Sequence, residues 1–419
     1  MRMTRGHRGR IPLRNLRTFS SFKNSVFRLY FGGMMGQMAA MNMQMMARSL
    51  LIYRLTGSAT ILGAMSFAHA IPTLSLSLFG GVIADRVQKK YVMLIGQAGS
   101  FVVALGTALA LTLGYLSVER AGSWWILVVA SVFQGIIMAL MMPSRQAILP
   151  EIVSEEQLLN AISLNMLGMN GLRLFAPALT GFLIDAFDFE AVYYGMTSMY
   201  LIAIVFIAFL PLTGMMTVRG QGALADIKEG IKYLRHETTI LLVLLFTLVV
   251  VVLSMPYIML MPIFTEDILK VGATGMGVLM SVSGIGAIIG SVILASLPNR
   301  KRGLMFLASC IILSLALVGF SFSSSWPLSL VLIAVVGLGS TGRMTLSNTL
   351  IQYYVEDEYR GRIMSIYMME FGLTSFGTFA AGLMAEAIGA QWAVGGFALV
   401  LVFLSVLGLV LVPRIRRLD

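Results

Sequence analysis

Gly80–Lys90 reads GGVIADRVQKK and joins two apolar stretches far too long for a water-soluble domain. Its paired glycines allow two helices and a tight turn to approach closely. Asp85 stands where a helix would end, and Arg86, Lys89 and Lys90 put three positive charges into a hinge of a few residues. Short cationic loops collect on the cytoplasmic side of a bilayer. The stretch therefore predicts a cytoplasmic connection between two membrane-spanning helices.

Composition agrees. Of the 419 residues 58% are hydrophobic and 12% charged, about half the charge of ordinary soluble domains. A net charge of +11 would suggest nucleic acid in a soluble chain, but here the basic residues fall in short loops between apolar runs. They read as orientation signals, and no nucleic-acid partner is expected. Cys310 lies alone inside an apolar run, and His7, His69 and His236 are scattered, so neither a disulfide, a metal site nor a cofactor is expected. Residues 1–25 are basic without an apolar core, unlike a cleavable signal peptide, and read as a cytoplasmic tail resting on anionic headgroups.

Apolar runs of about 20 residues predict twelve spans: 27–53, 60–84, 91–115, 124–149, 158–185, 190–211, 239–264, 273–297, 303–322, 327–350, 361–387 and 390–412. The expected architecture is all-α, with six-helix bundles over 26–211 and 239–413 and a short tail at 414–419. Residues 212–238 join the bundles. There Leu224, Ile227, Ile231 and Leu234 recur at helical spacing, predicting an amphipathic helix on the membrane surface. The side shared by both termini collects 23 of the 30 lysines and arginines and the other side only Arg54, Arg120 and Lys270, so both ends are expected in the cytoplasm.

The halves also repeat. GLRLFAPALTGFLIDAF from Gly171 aligns with GLTSFGTFAAGLMAEAI from Gly372, matching Gly171 to Gly372, Phe175 to Phe376, Gly181 to Gly382 and Asp185 to Glu386. The pattern Gly81-x-x-x-Asp85-Arg86-x-x-Lys89-Lys90 resembles the loop between helices 2 and 3 of major facilitator superfamily transporters, with Gln88 where that family usually has glycine. FRLYFGGMMGQ, LIYRLTGSATILG, PSRQAILPEIVSEEQLLNAISLN and EDEYRGRIMSIY are similar to the branch containing the enterobactin exporter and the macrolide efflux proteins. The resemblance implies two pseudo-twofold six-helix bundles, proton-driven export from a bacterial inner membrane, and a gating role for the loop. It also implies a helix-packing role for Ala176, Pro177 and Gly181, which stand in a segment similar to the helix 5 motif of proton-driven antiporters.

A charge at bilayer depth costs roughly 2.5–3.5 kcal/mol at a helix centre, so each needs a reason. Arg173, with Asn170, Pro177 and Thr180 on its face, either points into a central cavity towards an anionic substrate or carboxylate, or bonds a neighbouring helix. Glu370 and Arg343 fall at similar depth on adjacent helices and could pair. Desolvation tightens a carboxylate's hold on its proton and a nearby cation loosens it, so Glu370 is either the acid coupled to proton movement or half of a permanent packing pair. Gln37, Met41, Gln44 and Arg48 form one stripe of helix 1 among many methionines. They suggest a soft cavity wall for apolar cargo, with Arg48 snorkelling outward as the duller alternative. His69 reads first as a bonded core residue.

Gly337-Leu-Gly339-Ser-Thr-Gly342 fits a nucleotide-loop spacing but lies within a span and lacks the P-loop lysine, so it reads as packing glycines. The leading reading is a monomeric proton antiporter exporting small amphipathic molecules. A proton-coupled importer is the alternative in the same class, and a non-transporting scaffold or receptor the alternative in another. No clustered nucleophile and base suggests an enzyme.

Overall fold

The protein is described by a computed structural model over residues 19–212, 223–298 and 300–418. The side chains of Gly81, Asp85, Leu224, Ile227 and Ile231, and most of the basic tail, lie outside the described residues.

The first half comprises α1 (Ser25–Thr56), α2 (Ala59–Arg86), α3 (Lys89–Thr112), α4 (Trp125–Ile152) and α5 (Glu155–Ala208). After α6 (Ala223–His236) come α7 (Thr238–Ser254), α8 (Pro256–Ile263), α9 (Gly272–Ser296), α10 (Arg302–Phe322) and α11 (Trp326–Tyr354). Then follow α12 (Arg360–Met368), α13 (Glu370–Ile388), α14 (Ala390–Leu411) and the short α15 (Pro413–Arg416). No strand occurs among the described residues. Ten runs among them are long and apolar enough to cross a membrane, with α7–α8 and α12–α13 each counted as one. α5, at 54 residues, would be roughly 80 Å long, more than twice the hydrocarbon thickness. It breaks at Asp188, whose φ of 64° and ψ of −179° no helix accommodates.

Local chemistry sets the ends. The Asn24 side chain accepts hydrogen bonds from the Val26 and Phe27 amides to cap α1, and its Nδ2 donates to Ile152 O at the end of α4. Gly57, at φ 61°, closes α1 in the left-handed conformation that glycine adopts without penalty. The turn Val87–Gln88 needs no such freedom: Gln88 has φ −53°, so glutamine takes the family's glycine position there without backbone strain.

The halves meet along two seams, α5 with α9 and α2 with α13. On α5 the seam runs inward from Asp185 through Gly181 and Pro177 to Leu174; Gly181 and Gly277 leave room only for the backbone of the opposing helix. Further along the same face, Arg173, Asn170, Met166 and Leu159 are bare. α13 repeats the arrangement. Gly382, Phe379, Ser375 and Gly372 meet α2, while Met368, Ser365 and Gly361 on the same face are exposed. The halves thus close at the end carrying Asp185 and Glu386, called the acidic end below. They part towards the end carrying Arg86, Lys89, Arg360 and Arg362, the basic end.

α6 is not merely a surface float. Tyr233 stacks on Tyr359 at 4.3 Å, and Arg362 pairs with Glu229 at 2.9 Å, tying the linker to the α11–α12 junction. Y233A is expected to raise the rate of trypsin cleavage in the linker several-fold without changing the unfolding midpoint, since the stack holds only α6.

Candidate functional site

The acidic end is a clasp built twice. Asp185, at the end of the first span within α5, accepts a hydrogen bond from the Thr274 amide at 2.7 Å in the first turn of α9. Glu386, its repeat partner on α13, accepts from the Thr60 amide at 3.2 Å and the Ser58 hydroxyl at 3.1 Å, at the start of α2. In both seams the glycine four residues earlier admits the opposing backbone: a Cβ on Gly181 would lie 2.2 Å from Ala273 O, and one on Gly382 2.6 Å from Ala59 O. The repeated Gly-x-x-x-acid therefore places a small residue for close approach and a carboxylate at a helix N-terminus, where free amides and the helix dipole favour negative charge. Arg54 adds a crosslink, 2.8 Å from Glu266 and 3.9 Å from Asp185, and the Tyr53 hydroxyl bonds Asp267.

At the basic end, the ion pairs among the described residues do not join the halves. Lys89 is buried and pairs with Glu151 at 2.7 Å, linking α3 to α4. Arg86 is exposed and Lys90 half-buried. Gly80, the other hinge glycine, lets α2 approach Ala139 O of α4, where a Cβ would stand 2.2 Å away.

Between the ends, the structure brings Glu370 and Arg343 together as the sequence suggested, 3.7 Å apart and both buried. Tyr367 hydrogen-bonds Glu370 and exchanges a 3.0 Å bond with Ser347. Glu370 Oε2 and Arg343 Nε and Nη1 are buried without hydrogen-bond partners, so the pair is electrostatic rather than tightly bonded. Asn170 and Arg173 lie on the bare part of the α5 face. Ala176 and Pro177 are buried, and the Pro177 carbonyl faces Gly277 across the seam.

The helix 1 stripe divides. Met41 is 38% exposed and Gln44 half-buried, whereas Gln37 is buried and its Nε2 donates to Met141 Sδ at 3.8 Å. Gln37 thus turns into the bundle wall. Arg48 does not snorkel outward: its Nη1 donates to Ser131 Oγ of α4 at 3.3 Å, because this face of α1 packs against α4. His69 lies within electrostatic reach of Arg48, with its Nδ1 buried and unpartnered. Arg54, Glu266, Asp267 and Glu151 carry no sequence signal beyond their places near helix ends. Asp185 and Glu386 do, since the repeat matches them.

The family model for the Major Facilitator Superfamily matches residues 29–376 and 300–419. Among curated relatives, the staphyloferrin A transporter of Staphylococcus aureus is 25% identical over 88% of this chain and 89% of its own length. Macrolide efflux protein A of Streptococcus pyogenes is 25% identical over 87% of this chain and 90% of its own. The enterobactin exporter of Citrobacter koseri is 26% identical over 92% and 89%. Among solved structures, a bacterial homologue of the human lysosomal transporter Spinster, in an inward-facing and unoccupied conformation, superposes with a TM-score of 0.73 at 13% identity. That superposition covers 97% of this chain and 98% of that one. With the seams, the clasp and a family match spanning nearly the whole sequence, this chain belongs to the Major Facilitator Superfamily of membrane transporters.

Proposed function

We propose that the protein exports small amphipathic molecules, siderophore-like or drug-like, by proton antiport with alternating access in a bacterial inner membrane. The observation carrying this reading is that one face of α5 and one of α13 are covered at the acidic end and bare at the basic end. A transporter that rocks about a central site leaves one end shut while the other is open. With the basic end cytoplasmic by the positive-inside rule, this is the state that would load cargo from the cytoplasm. In this reading α5 supplies two spans and α1 another, giving twelve in bundles over 26–211 and 239–413, with both termini cytoplasmic. Asn170 and Arg173 line the cavity with Met41 and Gln44. The hinge Gly81–Lys90 acts at the basic end, where Asp85 and Arg86 would engage the other half once that end closes.

Glu370 is the proposed proton carrier, since it is the one buried carboxylate among the described residues and it faces Arg343. Antiport needs such a group to exchange its proton as Arg343 approaches or withdraws. The test is a pH gradient imposed on proteoliposomes holding a siderophore and macrolide panel. The wild type should move one of these compounds against its concentration gradient, and E370Q should lose at least tenfold of the gradient-driven flux while keeping counterflow exchange. Undiminished driven flux in E370Q would remove the coupling role; no flux of any compound in the wild type would favour a non-transporting protein.

A further inference from the structure

We propose that the cargo is an anion bearing carboxylates, and that Arg48, Arg173 and Arg145 of the first half supply its countercharges; this rests on the transport reading above and names its substrate class. Charge counting inside the spans is lopsided. Arg48, Arg145, Arg173 and Arg343 lie at depth, against the single acid Glu370, and Glu370 is taken by Arg343 in the second half. Among the described residues no carboxylate pairs with the other three.

Arg48 and Arg145 are partly buried yet left incomplete, and Arg173 stands open. Arg48 has one bond to Ser131 Oγ, its Nε is buried without a partner, and its electrostatic neighbours are the hydroxyls of Tyr193 and Tyr200 and the ring of His69. Arg145 sits beside Tyr30 with a buried, unpartnered Nη1. Arg173 is exposed on the bare face of α5 and lies within electrostatic reach of Tyr257 across the seam. A guanidinium cannot shed its charge. Left without an anion, Arg48 and Arg145 retain a desolvation cost that an incoming carboxylate would relieve with bidentate, charge-assisted bonds, and the open Arg173 is free to make such bonds at no further burial cost. Counting from the acidic ends of their helices at 1.5 Å per residue, Arg48, Arg173 and Arg145 lie roughly 12, 22 and 30 Å deep. Such a series would hand a multiply charged anion along the first half. A cationic amphiphile would meet only repulsion there.

The test uses purified full-length protein in detergent, with citrate as the anionic probe and tetraphenylphosphonium as the cationic one, read by thermal unfolding. Citrate should raise the unfolding midpoint of the wild type and tetraphenylphosphonium should not. R173Q and R48Q should each weaken citrate binding at least tenfold, while their unliganded midpoints stay equal to the wild type or rise. A purely structural arginine would instead lower the unliganded midpoint when removed. Stabilisation by the cation, by neither probe, or by citrate with undiminished affinity in both variants would overturn the proposal. Because the measurement involves no flux and no gradient, a failed export assay leaves it standing, and its failure leaves the export reading standing.

Discussion

Removing both clasp carboxylates, with Asp185→Ala and Glu386→Ala together, is expected to open the acidic end. Each carboxylate bonds an amide at the first turn of a helix belonging to the other half, so each bond exists only while that end is shut. Hydrogen bonds to charged groups contribute about 1.5–3 kcal/mol when buried. These sites are partly solvated, so a discounted value of about 1 kcal/mol each is appropriate. Two such losses, about 2 kcal/mol, shift the equilibrium between open and shut roughly thirtyfold. Thr378, buried on α13 where Gly63 of α2 packs, reports the change. In a Cys310→Ala background, Thr378→Cys should react tens of times faster with an impermeant maleimide applied from the acidic end when the clasp is removed. Equal rates would show that the glycine seams alone hold that end. The single variants should fall between, because the clasps lie on separate seams and share no partner.

The second large effect is an asymmetry within the buried pair of the second half. Glu370→Leu strands Arg343, which is buried and cannot neutralise itself, and should cost about 3–5 kcal/mol of stability. Arg343→Leu strands Glu370 instead, which becomes neutral by taking up a proton and keeps its bond from Tyr367, so the loss should be smaller, about 1–2 kcal/mol. The double variant should recover most of the deficit, because replacing a buried pair with apolar side chains of similar volume is often neutral or stabilising. Unfolding midpoints of the four proteins in one detergent give the comparison directly. If Glu370→Leu and Arg343→Leu cost the same, water reaches the pair and the carboxylate is not desolvated enough to serve as a coupling acid.

The clasp also marks where reading along the chain stops. Asp185 and Glu386 could be matched through the repeat, with Gly181 and Gly382, but what they grip could not. Arg54 and Glu266 are 212 positions apart, and nothing local to either announces the other. Gln37 and Arg48 show the same boundary on one helix. Their spacing places them on a common stripe, yet a stripe has width, and neighbouring helices decide which part faces open space. Thus Gln37 and Met41, both on the stripe, end up buried and exposed. Lys89 looked like a solvated loop charge until α4 brought Glu151 within 2.7 Å.

What the sequence determined by itself was whatever the solvent imposes residue by residue. Hydrocarbon excludes charge and unpaired backbone, so apolar runs, basic loops and the duplicated segment were enough to specify a helical membrane protein of two related halves. Tertiary structure alone decided which end is shut, that Asp185 and Glu386 cap helices of the opposite half, and that Arg48, Arg145 and Arg173 have no acid partner among the described residues. Those depend on how helices distant in the chain cross, and crossing is fixed by side-chain packing over the whole bundle, not by any local pattern.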